Sequence, residues 1–346
     1  MLFVVSLLPI VIYLVVIYKI DHFALVSMKR LVLLVLGGMV AALVCFGLFR
    51  LMEGVLSDKQ SNVVHPILEE IVKAIPLLVL AWRKKIVFFI DSVICGAAVG
   101  GGFSILENLL YLTQGREMAL GTGLFRGLEV ALIHMGCSAI IAAGLMAAIR
   151  QTERLRSRLE IKWSDVATTV FLLVAALAIH VAHNTFHFNP LMQFMFVFAI
   201  LGGLLAWTYL YDVDMTHRWL DKGLDKQLGL LSAIEGGQLV NTPTGAFLKS
   251  IKESFPPEVY YDIICYVGLH AELSVTAKAR FMLREVGMDV PMEKEEKELN
   301  LSKFVELKEL EKNIGKSATM TIAPIVKFYP ADIQAFNNLR EECLAK

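Results

Sequence analysis

Residues 31–49, LVLLVLGGMVAALVCFGLF, run for nineteen positions without a charged side chain or a side-chain amide. A helix rises 1.5 Å per residue, so this one is about 28 Å long, close to the thickness of a bilayer's hydrocarbon core. It is apolar on every side, as a membrane span is. Working outward, six more stretches qualify: 2–18, 63–82, 86–112, 127–149, 165–187 and 190–211. Those at 63–82 and 165–187 contain ionisable residues but remain long and mostly apolar. The reading is an all-α protein: a polytopic bundle of about seven transmembrane helices over residues 1–211, then a small, mostly helical cytoplasmic domain over 212–346.

The whole composition agrees. The 346 residues are 56% hydrophobic and 19% charged, a balance that soluble domains rarely reach. The net charge is zero, so nothing global points to nucleic acid. Five cysteines (Cys45, Cys95, Cys137, Cys265, Cys343) form no CxxC pair, which argues against a disulfide framework or a zinc–thiolate site. Residues 1–18 carry no charge and no small-residue cleavage signal follows, so the first helix is expected to be retained.

Orientation follows from the basic residues. The loops after the first, third and fifth spans contain Lys19, Lys29 and Arg30; Arg83, Lys84 and Lys85; and Arg150, Arg154, Arg156, Arg158 and Lys162. The opposite loops hold only Arg50, Lys59, Arg116 and Arg126. The N-terminus is therefore expected outside and the tail in the cytoplasm. Gly96 and Gly100 have the GxxxG spacing that lets helices approach closely in lipid. Beyond 212 the charge rises, with helical patterns at 258–270, 273–286, 301–313 and 331–344, a possible cap at Ser232 with Glu235, and a solvated loop or helix face at Lys294–Lys297.

Ionisable groups at membrane depth cost several kcal/mol each and ask for a reason. Glu69, Glu70 and Lys73 lie in HPILEEIVKAIP, Glu107 and Asn108 in GGFSILENLLY, His134 in EVALIHMGCSA, and His180, His183 and Asn184 in ALAIHVAHNTF. Measured from the expected span ends, Glu70, His134 and His180 each lie about seven residues deep and Glu107 about five, roughly 10 Å in. One layer in the outer third of the bilayer is implied. Such a set suits hydrolysis. A shielded carboxylate can act as general base toward water, histidine can share the proton, and Asn184, on the same helix face as His180, can donate to an oxyanion. Glu69 and Glu70 point about 100° apart, so one is expected to activate water while the other pairs with Lys73. A structural ion pair at i,i+4, Glu69 with Lys73, is the plainer alternative.

In order along the chain these motifs resemble the PrsW family of intramembrane proteases and, more distantly, CAAX prenyl endopeptidases and the Aph-type subunit of gamma-secretase. The matching residues are Glu69, Glu70 and Lys73; Phe103, Glu107 and Asn108 with Tyr111; His134; then His180 and Asn184, across roughly residues 60–190. The resemblance implies a membrane endopeptidase in which the glutamate pair activates water and Glu107 with the histidines completes the site. Some relatives cut an anti-sigma factor on its extracytoplasmic side; a membrane-protein substrate is implied, an anti-sigma-factor-like single-span protein being one candidate, and its identity does not carry over. His183 is extra to the motif and is assigned to packing or support.

The expected catalytic set is thus Glu69, Glu70, Glu107, His134, His180 and Asn184, with no resident cofactor. Zinc, which favours His and carboxylate ligands, is the alternative, although no HExxH helix is present. A proton-coupled transporter or channel is the rival class; the inner half offers little beyond Asp91 and Ser92 to extend a relay. A catalytically silent membrane scaffold is the third possibility.

Overall fold

The computed structural model describes residues 2–20, 26–83, 88–113, 120–156, 163–186, 189–285, 288, 290–323, 325–326 and 330–344. Lys84, Lys85, Arg116, Arg158 and Lys162, used above for orientation, lie outside the described residues, and so do the side chains of Arg150, Arg154 and Arg156. The described residues are helical, without strands. They form two compact units, Met1–Asp212 and Val213–Lys346.

The first unit holds α1 (Leu2–Ile20), α2 (Met28–Met52), α3 (Asp58–Trp82), α4 (Phe89–Thr113), the short α5 (Leu120–Phe125), a π-helical turn (Arg126–Val130), α6 (Ala131–Arg156), α7 (Trp163–Thr185) and the start of α8 (Pro190–Glu235). Six helical segments among the described residues are long and apolar enough to cross a membrane. The expected seventh, α3, is 25 residues long but fails on composition because Glu69, Glu70 and Lys73 lie inside it. It is nonetheless packed among α2, α6 and α7, and the three charged residues are buried there rather than facing lipid.

α4 is the centre of this unit, packed against α1, α2 and α6. Its glycines permit that. A Cβ on Gly102 would fall on the carbonyl of Val35, and one on Gly38 of α2 on the carbonyl of Val99, so α2 and α4 touch backbone to backbone. On the other face Gly96 and Gly100 lie against the carbonyls of Ser138 and His134 on α6. The GxxxG spacing therefore joins α4 to α6, as van der Waals packing in lipid demands.

The second unit contains the end of α8, α9 (Pro243–Ile251), α10 (Pro257–Glu285), α11 (Lys294–Ile322) and α12 (Pro330–Leu344). The patterns at 258–270 and 273–286 prove to be one helix, α10. Ser232 caps nothing, because α8 runs unbroken through it to Glu235. Lys294–Lys297 is the first turn of α11, exposed at Lys294, Glu295 and Glu296 and half-buried at Lys297, and that helix kinks at Gly315, whose φ of 73° only glycine adopts easily. Apolar clusters form the core, one around Leu248, Ile263 and Ile314 and one around Leu273, Phe336 and Leu339. Between them Lys278 is fully buried, 3.0 Å from both Asp332 Oδ1 and Gln227 Oε1.

His270, on α10, is stacked on Phe336 with ring centroids 5.1 Å apart. Burial, reinforced by the Lys278 ammonium, pushes its imidazole down to about 4. The fold thus favours the neutral ring. Its contribution is complete above the unfolded value of about 6.5 and is lost as pH falls toward about 4, by up to about 3 kcal/mol. Hydrogen-exchange protection in α10 is expected to weaken between about pH 7 and pH 4.5, and to weaken much less in His270→Leu. Equal pH dependence in both would refute this account.

Candidate active site

Four helices converge on one polar cluster. On α3, Lys73 Nζ lies 2.5 Å from Glu70 Oε1, and neither side chain is exposed. The buried ion pair is therefore Glu70 with Lys73 at i,i+3, not Glu69 with Lys73 at i,i+4. Lys73 Nζ also sits 4.6 Å over the Phe103 ring of α4 and 3.0 Å from His134 Nδ1 of α6. Phe103 thus has a defined part in the motif: it covers the ammonium with an aromatic face.

The partners fix the tautomers of both histidines. His134 Nε2 is 2.7 Å from Glu107 Oε2, so it carries the proton and donates, leaving Nδ1 bare toward Lys73. His180 Nδ1 is 2.7 Å from Glu70 Oε1 and donates there, leaving Nε2 bare. The two rings stand edge to face, 5.0 Å apart. Both bare nitrogens face Glu69: its Oε2 lies 3.8 Å from His134 Nδ1 and 3.6 Å from His180 Nε2. That oxygen is buried and has no hydrogen-bond partner.

Such a donor set fits a metal ion. Zinc with ligands at about 2.0–2.1 Å spaces them about 3.3 Å apart, a few tenths less than the distances found. Each histidine is backed by a carboxylate on its other nitrogen, as metal-ligating imidazoles usually are. Glu69, His134 and His180 are one possible ligand group; Glu70, Cys137 and His180 are another, but both Glu70 and His180 Nδ1 are already committed to each other. With a metal on the first group, Lys73 would give up its contact with His134 and keep Glu70.

Two residues that the sequence reading left aside complete the surroundings. Arg126, counted there as a loop cation, places Nη2 3.1 Å from Glu107 Oε1 and Nε 3.2 Å from Asn108 Oδ1, with its guanidinium 4.1 Å over Tyr111. Glu129 is buried, with Oε1 3.3 Å from His183 Nε2. His183 thus has a carboxylate partner of its own. Asn184, expected to donate to an oxyanion, has its Oδ1 3.2 Å from His183 Nδ1; among the described contacts none joins it to Glu69 or Glu70.

α3 begins at Asp58 and α5 at Leu120, so Glu70 and His134 lie twelve and fourteen residues from the starts of their helical segments, which extend beyond the span ends expected near 63 and 127. Glu107 and His180 lie six and five residues before Thr113 and Thr185. The cluster is one layer in space, but α3 and the α5–α6 segment overhang it.

A family model described as PrsW family intramembrane metalloprotease matches residues 27–209. No curated protein and no solved structure matches the chain.

Proposed function

Because this chain belongs to the PrsW family of intramembrane proteases, we propose that it hydrolyses peptide bonds of single-span membrane proteins at the Glu69–His134–His180 cluster, near the extracytoplasmic face. One observation supports this above the rest: the unpartnered Glu69 Oε2 faces two bare imidazole nitrogens. It is where a water molecule would be held and lose its proton. Glu69 takes that proton as general base, and the histidines, fixed by Glu70 and Glu107, return it to the leaving amine. Lys73 balances the Glu70 charge and keeps that carboxylate in place. In the alternative, metal-bound form Glu69, His134 and His180 would hold a zinc ion that would polarise the water and the scissile carbonyl, and these three residues would then serve as ligands rather than as base and proton carriers. A substrate helix must unwind locally to bring its peptide bond to this layer.

Counting α3, seven helices cross the bilayer, with the N-terminus outside and the helical tail in the cytoplasm. Lys19, Lys29, Arg30 and Arg83 lie on the cytoplasmic side in that arrangement. An anti-sigma-factor-like protein is one substrate of the right type.

The test uses purified protein reconstituted in liposomes with a pool of single-span transmembrane peptides, and products are read by mass spectrometry. Cleavage near the outer end of the peptides is expected. Loss of cleavage with a chelator and recovery with zinc would identify the metal form; indifference to chelator would leave Glu69 as the sole activator of water. An inert protein in liposomes that nonetheless passes protons would move the assignment to transport.

A further inference from the structure

We infer that Arg126 is a positioning residue for catalysis: it holds Glu107, and through Glu107 it holds the Nε2–H and sets the ring orientation of His134. The inference rests on the proposed hydrolysis at this cluster.

Arg126 is the first residue of the π-helical turn Arg126–Val130. Single π turns inside α-helical segments are uncommon and recur at functional sites. This one is held from outside. Ser6 of α1, itself buried, donates from Oγ to the Gly123 carbonyl at 3.1 Å. Its own carbonyl lies where a Cβ on Gly127 would stand, and accepts from Asn108 Nδ2 at 3.5 Å. The wider turn gives the chain a local offset just before His134, and the Arg126 side chain reaches back to α4.

There the guanidinium is held on three sides. Tyr111 covers its face, Asn108 Oδ1 accepts from Nε, and Glu107 Oε1 accepts from Nη2. A planar fork suits this multiple engagement, and a lysine ammonium would not reproduce it. Glu107 needs that support, since its side chain is 36% exposed, the most open of the acids in the cluster. With Oε1 committed to Arg126, Oε2 is presented to His134 Nε2. The proton then stays on Nε2, and Nδ1 stays bare toward Glu69. Without Arg126, Glu107 is free to turn toward solvent, and the ring loses the acceptor that holds its Nε2–H and its orientation, with Lys73 at Nδ1 as the contact that remains. Asn108 and Tyr111 of the motif thereby gain a physical role, as the seat of the arginine.

The test compares the parent, Arg126→Ala and Arg126→Lys in the liposome assay with the same peptide pool. Turnover should fall in Arg126→Ala by about 30-fold, within the range for lost outer-shell partners, with KM little changed. Arg126→Lys should recover only a small part, and added guanidinium should raise Arg126→Ala but not the parent. A second readout does not depend on activity. In protein carrying 15N-histidine, the His134 ring, assigned by its disappearance in His134→Gln, should show a protonated Nε2 and a bare Nδ1 in the parent. In Arg126→Ala the Nε2 shift should move as its hydrogen bond to Glu107 is lost. Unchanged turnover and unchanged nitrogen shifts in Arg126→Ala would overturn the inference alone. An inert parent would overturn the proposed function instead, and the nitrogen shifts would still decide whether Arg126 fixes His134.

Discussion

Glu69→Ala is expected to lower the rate of peptide cleavage about a thousandfold, the middle to upper range for loss of a general base, while the folded bundle survives. Glu69 is the acid of the cluster whose free oxygen points at the two bare imidazole nitrogens, and no ion pair depends on it as Lys73 depends on Glu70. On the proposed mechanism its removal deletes the group that takes the proton, or one ligand of a metal, and leaves the Glu70–Lys73 and Glu107–His134 contacts standing. Glu70→Ala should behave differently. It strands a fully buried ammonium and frees His180, so both activity and thermal stability should fall; breaking one side of a buried pair costs about 3–5 kcal/mol. Rates in liposomes and melting in detergent separate the two. Retained cleavage in Glu69→Ala would remove Glu69 from the mechanism.

Gly100→Val is expected to damage the site from behind. Its Cβ would overlap the carbonyl of His134, so α4 and α6 would have to move apart. Overpacking of this kind costs about 1–3 kcal/mol. The larger effect is on chemistry, because the atom displaced belongs to the backbone that supports a site histidine, and a misplacement of about 1 Å can cost about a hundredfold in rate. Gly203→Val is the control, since nothing lies within 4 Å of a Cβ built there. Equal rates for the two variants would show that the α4–α6 contact does not set the position of His134.

The sequence made some of this legible and hid the rest for identifiable reasons. Apolar length located the helices well, because lipid imposes that length. It could not bound α3, where Asp58, Lys59 and Gln60 read as loop but continue the helix, nor the α5–α6 segment, where Gly121, Gly123 and Arg126 interrupt the apolar run. Arg126 therefore looked like a charge flanking a span. Motif spacing placed Glu69, Glu70, Glu107, His134 and His180 on four helices, and they do meet. Which glutamate pairs with Lys73 was beyond spacing alone, since i,i+3 and i,i+4 are both neighbours on a helix. Glu129 was overlooked because its partner, His183, lies on another helix 54 positions away, and only folding puts the two within 3.3 Å.

The order of the site residues along the chain has a consequence for biosynthesis. Glu69 and Glu70 leave the ribosome first, Glu107 and His134 follow, and His180 comes last, on α7. A nascent chain stopped anywhere before α7 has acids but lacks the second imidazole that faces Glu69 and anchors Glu70. With the proposed site, hydrolytic competence would be deferred until nearly the whole membrane unit has been inserted. While it threads through the insertion machinery beside other newly made membrane proteins, the unfinished chain would lack the complete site proposed to cut them.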